Sequence, residues 1–144
     1  MTNLKILSTR QRGMTLIEIL VVLVLIGVVM GIVGSKFIGQ GEKAKADAAK
    51  IEINQIGNTL DLYKLEVGHY PTTSEGLQAL ITAPSGTSNW NGPYWKNATL
   101  PKDPWGNEYK YSSPGSHNNA YDILSLGADG REGGEGPNKD IVSW

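Results

Sequence analysis

Glu18 is the first residue whose position demands a chemical account. It is the only charged residue from Gly13 to Ser35, in the run GMTLIEILVVLVLIGVVMGIVGS. An ionised carboxylate among lipid chains costs on the order of 3 kcal/mol. It therefore requires a cationic partner or a route to water. The second chemically equipped stretch is Asp129–Asp140, DGREGGEGPNKD, with four acids among flexible glycines and free backbone carbonyls. Hard cations such as Ca²⁺ take about six to eight oxygens from such a mixture. The spacing is not that of an EF-hand, and spacing alone leaves open a cation loop or a solvated acidic loop. His69 and His117 have no Ser or Cys pattern beside them and read as surface residues. No zinc spacing, phosphate loop or dinucleotide fingerprint occurs, and the chain has no cysteine.

Glu18 must be carried by a membrane helix. Residues 13–35 number 23, which at 1.5 Å per residue span roughly 35 Å, enough for a bilayer core. Residues 1–12 carry Lys5, Arg10 and Arg12 and no acid, so this end is expected to stay cytoplasmic while the C-terminus crosses. A secretory signal peptide would need a small-residue cleavage site after the apolar run, and VGSKFIGQGEKAKAD offers none. A simple signal anchor is the plain alternative. The net charge of −1 gives no basic field for nucleic acid.

From Gly41 the pattern is amphipathic. Ala46, Ala49, Ile53, Ile56, Leu60, Tyr63 and Val67 recur at alternating intervals of three and four, one face of a helix. Asp47 with Lys50 and Asp61 with Lys64 are spaced for ion pairs. Gly68 and Pro71 should end the helix, and Gly57 within it points to close packing or a bend. No strong stop separates the two runs, so one helix from about Met14 to Val67 is expected, with two helices and a linker as the alternative. Thr73 or Ser74 can cap a short helix whose buried face is Leu77, Leu80 and Ile81. Trp90, Tyr94 and Trp95 should pin the following loop to the core. Strands are expected at Glu108–Ser112, Tyr121–Ser125 and Asp140–Ser143. The fold class is α+β: a long N-terminal helix packed against a small antiparallel sheet with long C-terminal loops.

Arg12-Gly13-Met14-Thr15-Leu16-Ile17-Glu18 resembles the class III leader of the type IV pilin family. Tyr70–Leu77 (YPTTSEGL), Gly92–Trp95 (GPYW), Asp103–Gly106 (DPWG) and Ser125–Gly130 (SLGADG) resemble the major pseudopilins of the type II secretion system, over essentially the whole chain. Adhesive type IV pilins usually carry a C-terminal disulfide loop, which this chain cannot make.

The resemblance implies that residues 1–13 are a leader removed by a prepilin peptidase, which cuts between Gly13 and Met14 and methylates Met14. Residues 14–38 would be a transmembrane and polymerisation helix, and 39–144 a periplasmic domain on a single-pass protein of the bacterial inner membrane. Glu18, with Thr15 beside it, would serve assembly by pairing with the Met14 amine of a neighbouring copy. The family commonly has Phe where this chain has Met14, and Pro where it has Ser35, so a helix break there would fall to Gly31 and Gly34 or be absent. The resemblance also implies one structural calcium, with Asp129 and Asp140 side chains and the Leu126 carbonyl among its ligands. The implied role is structural rather than enzymatic: a homo-oligomeric fibre that helps export folded proteins. Its partners would be minor pseudopilins, an inner-membrane secretion platform and an outer-membrane secretin, with no nucleic acid. An adhesive or motility pilin, a DNA-uptake or ligand-binding module, and an anchored enzyme are the rivals.

Overall fold

The structure, a computed structural model, describes residues 13–117 and 119–144. The expected leader, apart from Gly13, lies outside the described residues. One helix, α1, runs Leu16–Val67. No break occurs at Gly31, Gly34 or Ser35; the backbone stays helical through all three. A helix interior tolerates each glycine at about 1 kcal/mol, and Ser35 lacks the ring with which proline would clash. By its contacts the chain divides into two units, Met1–Gly39 and Gln40–Trp144.

In the first unit the described part of α1 is exposed on every side, Leu16 at 83%, Leu23 at 63% and Met30 at 67%. A helix apolar all round has no polar face to give to water. This one is long and apolar enough to cross a membrane.

In the second unit α1 buries one face. Ala49, Ile53, Ile56, Leu60 and Tyr63 are at most 2% exposed, as the three–four spacing requires, while Ala46 and Val67 at the ends of the stripe are only half-buried. The chain then turns through Gly68, whose N–H donates to Lys64 O at 2.8 Å. The expected Asp–Lys pairs do not form among the described contacts. Asp61 instead accepts the Tyr70 hydroxyl at 2.8 Å, and Lys64 sits over the Tyr70 ring, 4.6 Å from its centroid. A neutral donor that packs and bonds wins over an exposed ion pair worth a few tenths of a kcal/mol.

The short helix is a single 3-10 turn, Leu77–Leu80. Leu77, Ala79 and Leu80 are buried, and Ile81 is only half-buried. The expected Thr73 or Ser74 cap does not form: Gly76 stands at the N-cap of this helix and makes no side-chain cap bond. Thr72, not Thr73 or Ser74, accepts the Glu75 N–H at 3.3 Å, and Glu75 returns a bond from the Thr72 N–H at 2.7 Å. That reciprocal pair is a capping box on the turn that precedes the helix. Thr73 is drawn away by a double bond to the Ser113 backbone, at 2.9 and 3.0 Å. Trp90 and Tyr94 pin the next loop as expected: Trp90 Nε1 donates to Ala79 O at 2.9 Å, and Tyr94 N to Leu80 O at 2.8 Å.

Three antiparallel strands follow in the order β1 (Lys110–Ser112), β2 (Asp122–Ser125) and β3 (Ile141–Val142). Lys110 pairs with Leu124 and Ser112 with Asp122, while Leu124 pairs with Val142. Each strand is shorter than its pattern suggested. Glu108 pairs only with Lys102 in an isolated bridge, and Tyr121 lies outside the ladder and meets the Tyr70 ring edge-on, centroids 4.9 Å apart. Tyr109 and Ile123 join the α1 face and the 3-10 turn in one core.

Candidate functional site

At the head of α1, Thr15 Oγ1 accepts the Glu18 N–H at 3.3 Å, and a Glu18 carboxylate oxygen accepts the Thr15 N–H at 3.4 Å. This is a second capping box, with Glu18 as its acid. It satisfies two of the helix's open donors and places a negative charge at the positive end of the dipole. Both bonds are long and exposed, so the carboxylate is held without being consumed. Met14 and Gly13 lie immediately before the cap, both exposed. The sequence-predicted assembly residues Thr15 and Glu18 are thus bonded to each other, with Met14 alone between Thr15 and the peptide bond expected to be cut.

The acidic loop leaves β2 and returns to β3. Its pivot is Gly127, at φ 61°. A side chain there would need left-handed backbone, and its Cβ would meet Lys139 O at 2.9 Å. The Ala128 N–H closes the loop by donating to Pro137 O at 3.1 Å. The stretch bearing Leu126 and Asp129 is therefore laid against the stretch leading to Asp140. Asp129 is exposed and turns its Oδ1 onto the Arg131 N–H at 3.1 Å. Asp140 is half-buried, and its Oδ2 takes the Gly133 N–H at 2.8 Å. Its other oxygen, Oδ1, is shielded from water and has no hydrogen-bond partner among the described residues. An orphaned carboxylate oxygen inside a loop of carbonyls suits a hard cation, which would supply the missing positive charge. Among the described residues no three His, Cys, Asp or Glu side chains cluster closely enough to share a metal ion. A cation held here would have to take backbone carbonyls beside any carboxylates.

Sequence reasoning missed the residues beneath this loop. Asp103, 4% exposed, accepts N–H bonds from Trp105 at 3.1 Å and Asn107 at 2.8 Å through Oδ1. Its Oδ2 accepts the buried Ser125 hydroxyl at 2.7 Å. Asn107 Nδ2 in turn donates to Gly127 O at 3.0 Å. The DPWGN turn signal was visible, but its partners lie some twenty residues away.

The histidines are exposed, as expected. His117 has further contacts: it stacks on Trp144 with centroids 3.7 Å apart and bonds Asp122 Oδ2 at 2.9 Å. Burial pushes the Asp122 carboxyl up, but the bonds from His117 and the Ser116 N–H outweigh it and hold it below the usual carboxylate range. Burial and the Glu52 carboxylate together push the Tyr109 hydroxyl well above its ordinary value, so it remains a neutral donor to Glu52. These contacts tie the sheet and its flanking loops together.

The model of the type II secretion system (T2SS) protein G family matches residues 36–144, and that of the prokaryotic N-terminal methylation motif matches residues 8–34. The chain is 46% identical over 138 residues to the type II secretion system core protein G of Vibrio cholerae serotype O1, covering 94% of this chain and 92% of that one. It is 44% identical over 139 residues to the protein of the same name from Pseudomonas aeruginosa, covering 94% and 96%. The crystal structure of the major pseudopilin from the type 2 secretion system of enterohaemorrhagic Escherichia coli superposes with a TM-score of 0.62 at 33% identity, over 74% of this chain and 92% of that one. These likenesses favour the secretion reading over an adhesive or motility pilus. With a leader motif, an α+β domain and near full-length similarity in agreement, the chain belongs to the type II secretion system protein G family.

Proposed function

We propose that this chain is the major structural subunit of a type II secretion pseudopilus, cut between Gly13 and Met14 by a prepilin peptidase and methylated on Met14. Its apolar helix anchors it in the inner membrane with the C-terminal domain in the periplasm. The subunits then polymerise with their own kind and with minor pseudopilins. The fibre works between an inner-membrane platform and an outer-membrane secretin to help folded proteins leave. The role is structural rather than enzymatic.

The observation that carries this reading is the lone carboxylate of Glu18 at the head of a helix exposed along its apolar length. Cleavage would create a cationic amine on Met14. Pairing it with Glu18 of the next copy offsets the cost of two charges in an apolar setting, and does so only at one stagger between copies. The Thr15–Glu18 cap pre-orients the acid without saturating it. Calcium, when bound, would supply the positive charge that the acidic loop lacks. The Asp129 and Asp140 side chains and the Leu126 carbonyl would hold it, closing the loop in a chain without disulfides.

Glu18→Ala tests the assembly role in a secreting strain. The variant should insert into the membrane and be cut, with Met14 methylated by mass spectrometry, yet form few fibres and export little exoprotein. Normal fibres from Glu18→Ala would refute the register role, and an uncut native chain would refute the maturation.

A further inference from the structure

We infer that Asp103 and Asn107 are positioning residues for the cation loop, acting through the Gly127 peptide; the inference rests on the calcium reading proposed above. Gly127 is gripped on both sides. Its carbonyl accepts Asn107 Nδ2 at 3.0 Å, and its N–H lies 3.3 Å from Ser125 Oγ. Asp103 holds both residues that make these bonds, taking the Ser125 hydroxyl on one oxygen and the Asn107 backbone N–H on the other. The Asp103 N–H also donates to Asn107 O at 2.8 Å, closing the turn on itself. The Asn107 side chain further lies beneath Gly130, where a Cβ would meet Oδ1 at 3.5 Å. A buried carboxylate with three donors is rigid, and its rigidity passes through two side chains to the peptide between Leu126 and Asp129. Those are the residues assigned to the cation, and the two positioning side chains touch none of its proposed donor atoms. The arrangement is that of an outer shell, which fixes the direction of ligands and whose loss typically weakens metal affinity about 10–100-fold.

Calcium binding by the full-length chain in detergent separates this role from simple support of the fold. Titration with calcium alone measures Kd, and melting is followed with calcium and with a chelator. Asn107→Ala should weaken Kd about 10-fold and shrink the calcium-induced rise in Tm, with a smaller change in the chelated Tm. A merely structural role would lower both melting temperatures equally and leave Kd and the rise unchanged, and that result overturns the inference while leaving the calcium reading intact. If Asn107→Ala does not fold, Asp103→Asn keeps the size of the hub and should weaken Kd in the same direction; an unchanged Kd there overturns the inference. An unmodified chain that does not bind calcium overturns both.

Discussion

Gly57 lies on the buried side of α1, and a methyl group added there would sit 2.9 Å from the Tyr121 hydroxyl oxygen and 3.9 Å from its Cζ. Two effects of Gly57→Ala then oppose each other. Alanine in a helix interior is favoured over glycine by about 1 kcal/mol. The methyl group must displace the hydroxyl, and Tyr121 is not free to swing, because its ring meets Tyr70 at 4.9 Å and Tyr111 at 6.2 Å between centroids. Overpacking of this kind costs about 1–3 kcal/mol. Gly57→Ala should therefore destabilise by about 1 kcal/mol. In a Tyr121→Phe background the oxygen is gone and the nearest remaining ring atom is at ordinary contact distance, so the same substitution should stabilise by about 1 kcal/mol. The double-mutant cycle then carries a coupling of about 2 kcal/mol. Urea melts of the full-length chain in detergent, followed by circular dichroism, measure all four corners. A gain from Gly57→Ala of equal size in both backgrounds would show that helix propensity alone decides and that the close approach of Tyr121 is irrelevant.

Leu60→Ala removes a side chain with 0% exposure and should cost about 2–5 kcal/mol by the same melts. Leu65→Ala, 81% exposed on the same helix, should change subunit stability by less than about 0.5 kcal/mol. Asp129→Ala should lower the melting temperature in calcium and blunt its dependence on a chelator; a native chain whose melting ignores the chelator would count against the metal. His117→Ala should lower stability near neutral pH and flatten its decline in acid. Asp122 titrates below its ordinary value, so its contribution is complete above the unfolded value of about 3.9 and is lost as pH falls through the lower folded one. Without His117 the raising effect of burial loses its main counterweight, the folded value climbs toward the unfolded one, and the stability that ionised Asp122 contributes at higher pH shrinks. Melting temperature measured across the acid range checks this, and identical profiles for both proteins would contradict it.

The helix was legible because its information is local. Ala49, Ile53, Ile56, Leu60 and Tyr63 repeat with the helical period, and every one is buried. The aromatic pins were legible for a related reason, since Trp90 and Tyr94 stand in a stretch with few other apolar side chains. The strand ends were not, because alternation continues through Glu108 and Tyr109 after the pairing has stopped, and only the partner strand decides where the ladder ends. The expected cap at Thr73 or Ser74 failed because Thr73 is taken by the Ser113 backbone, forty residues on. The Asp103 hub was illegible in the same way: an aspartate before Pro-Trp-Gly reads as a turn, and nothing nearby announces Ser125 or Gly127 as its distant dependants. At the loop, the acids could be named from composition, but the orphaned oxygen of Asp140 appears only once its neighbours are placed.

The outer strands of the sheet span three residues and two. A rim that short leaves a neighbouring molecule almost no unpaired backbone to zip onto. In the fibre proposed above, neighbouring copies would therefore have little backbone edge through which to pair sideways, leaving their association to side chains.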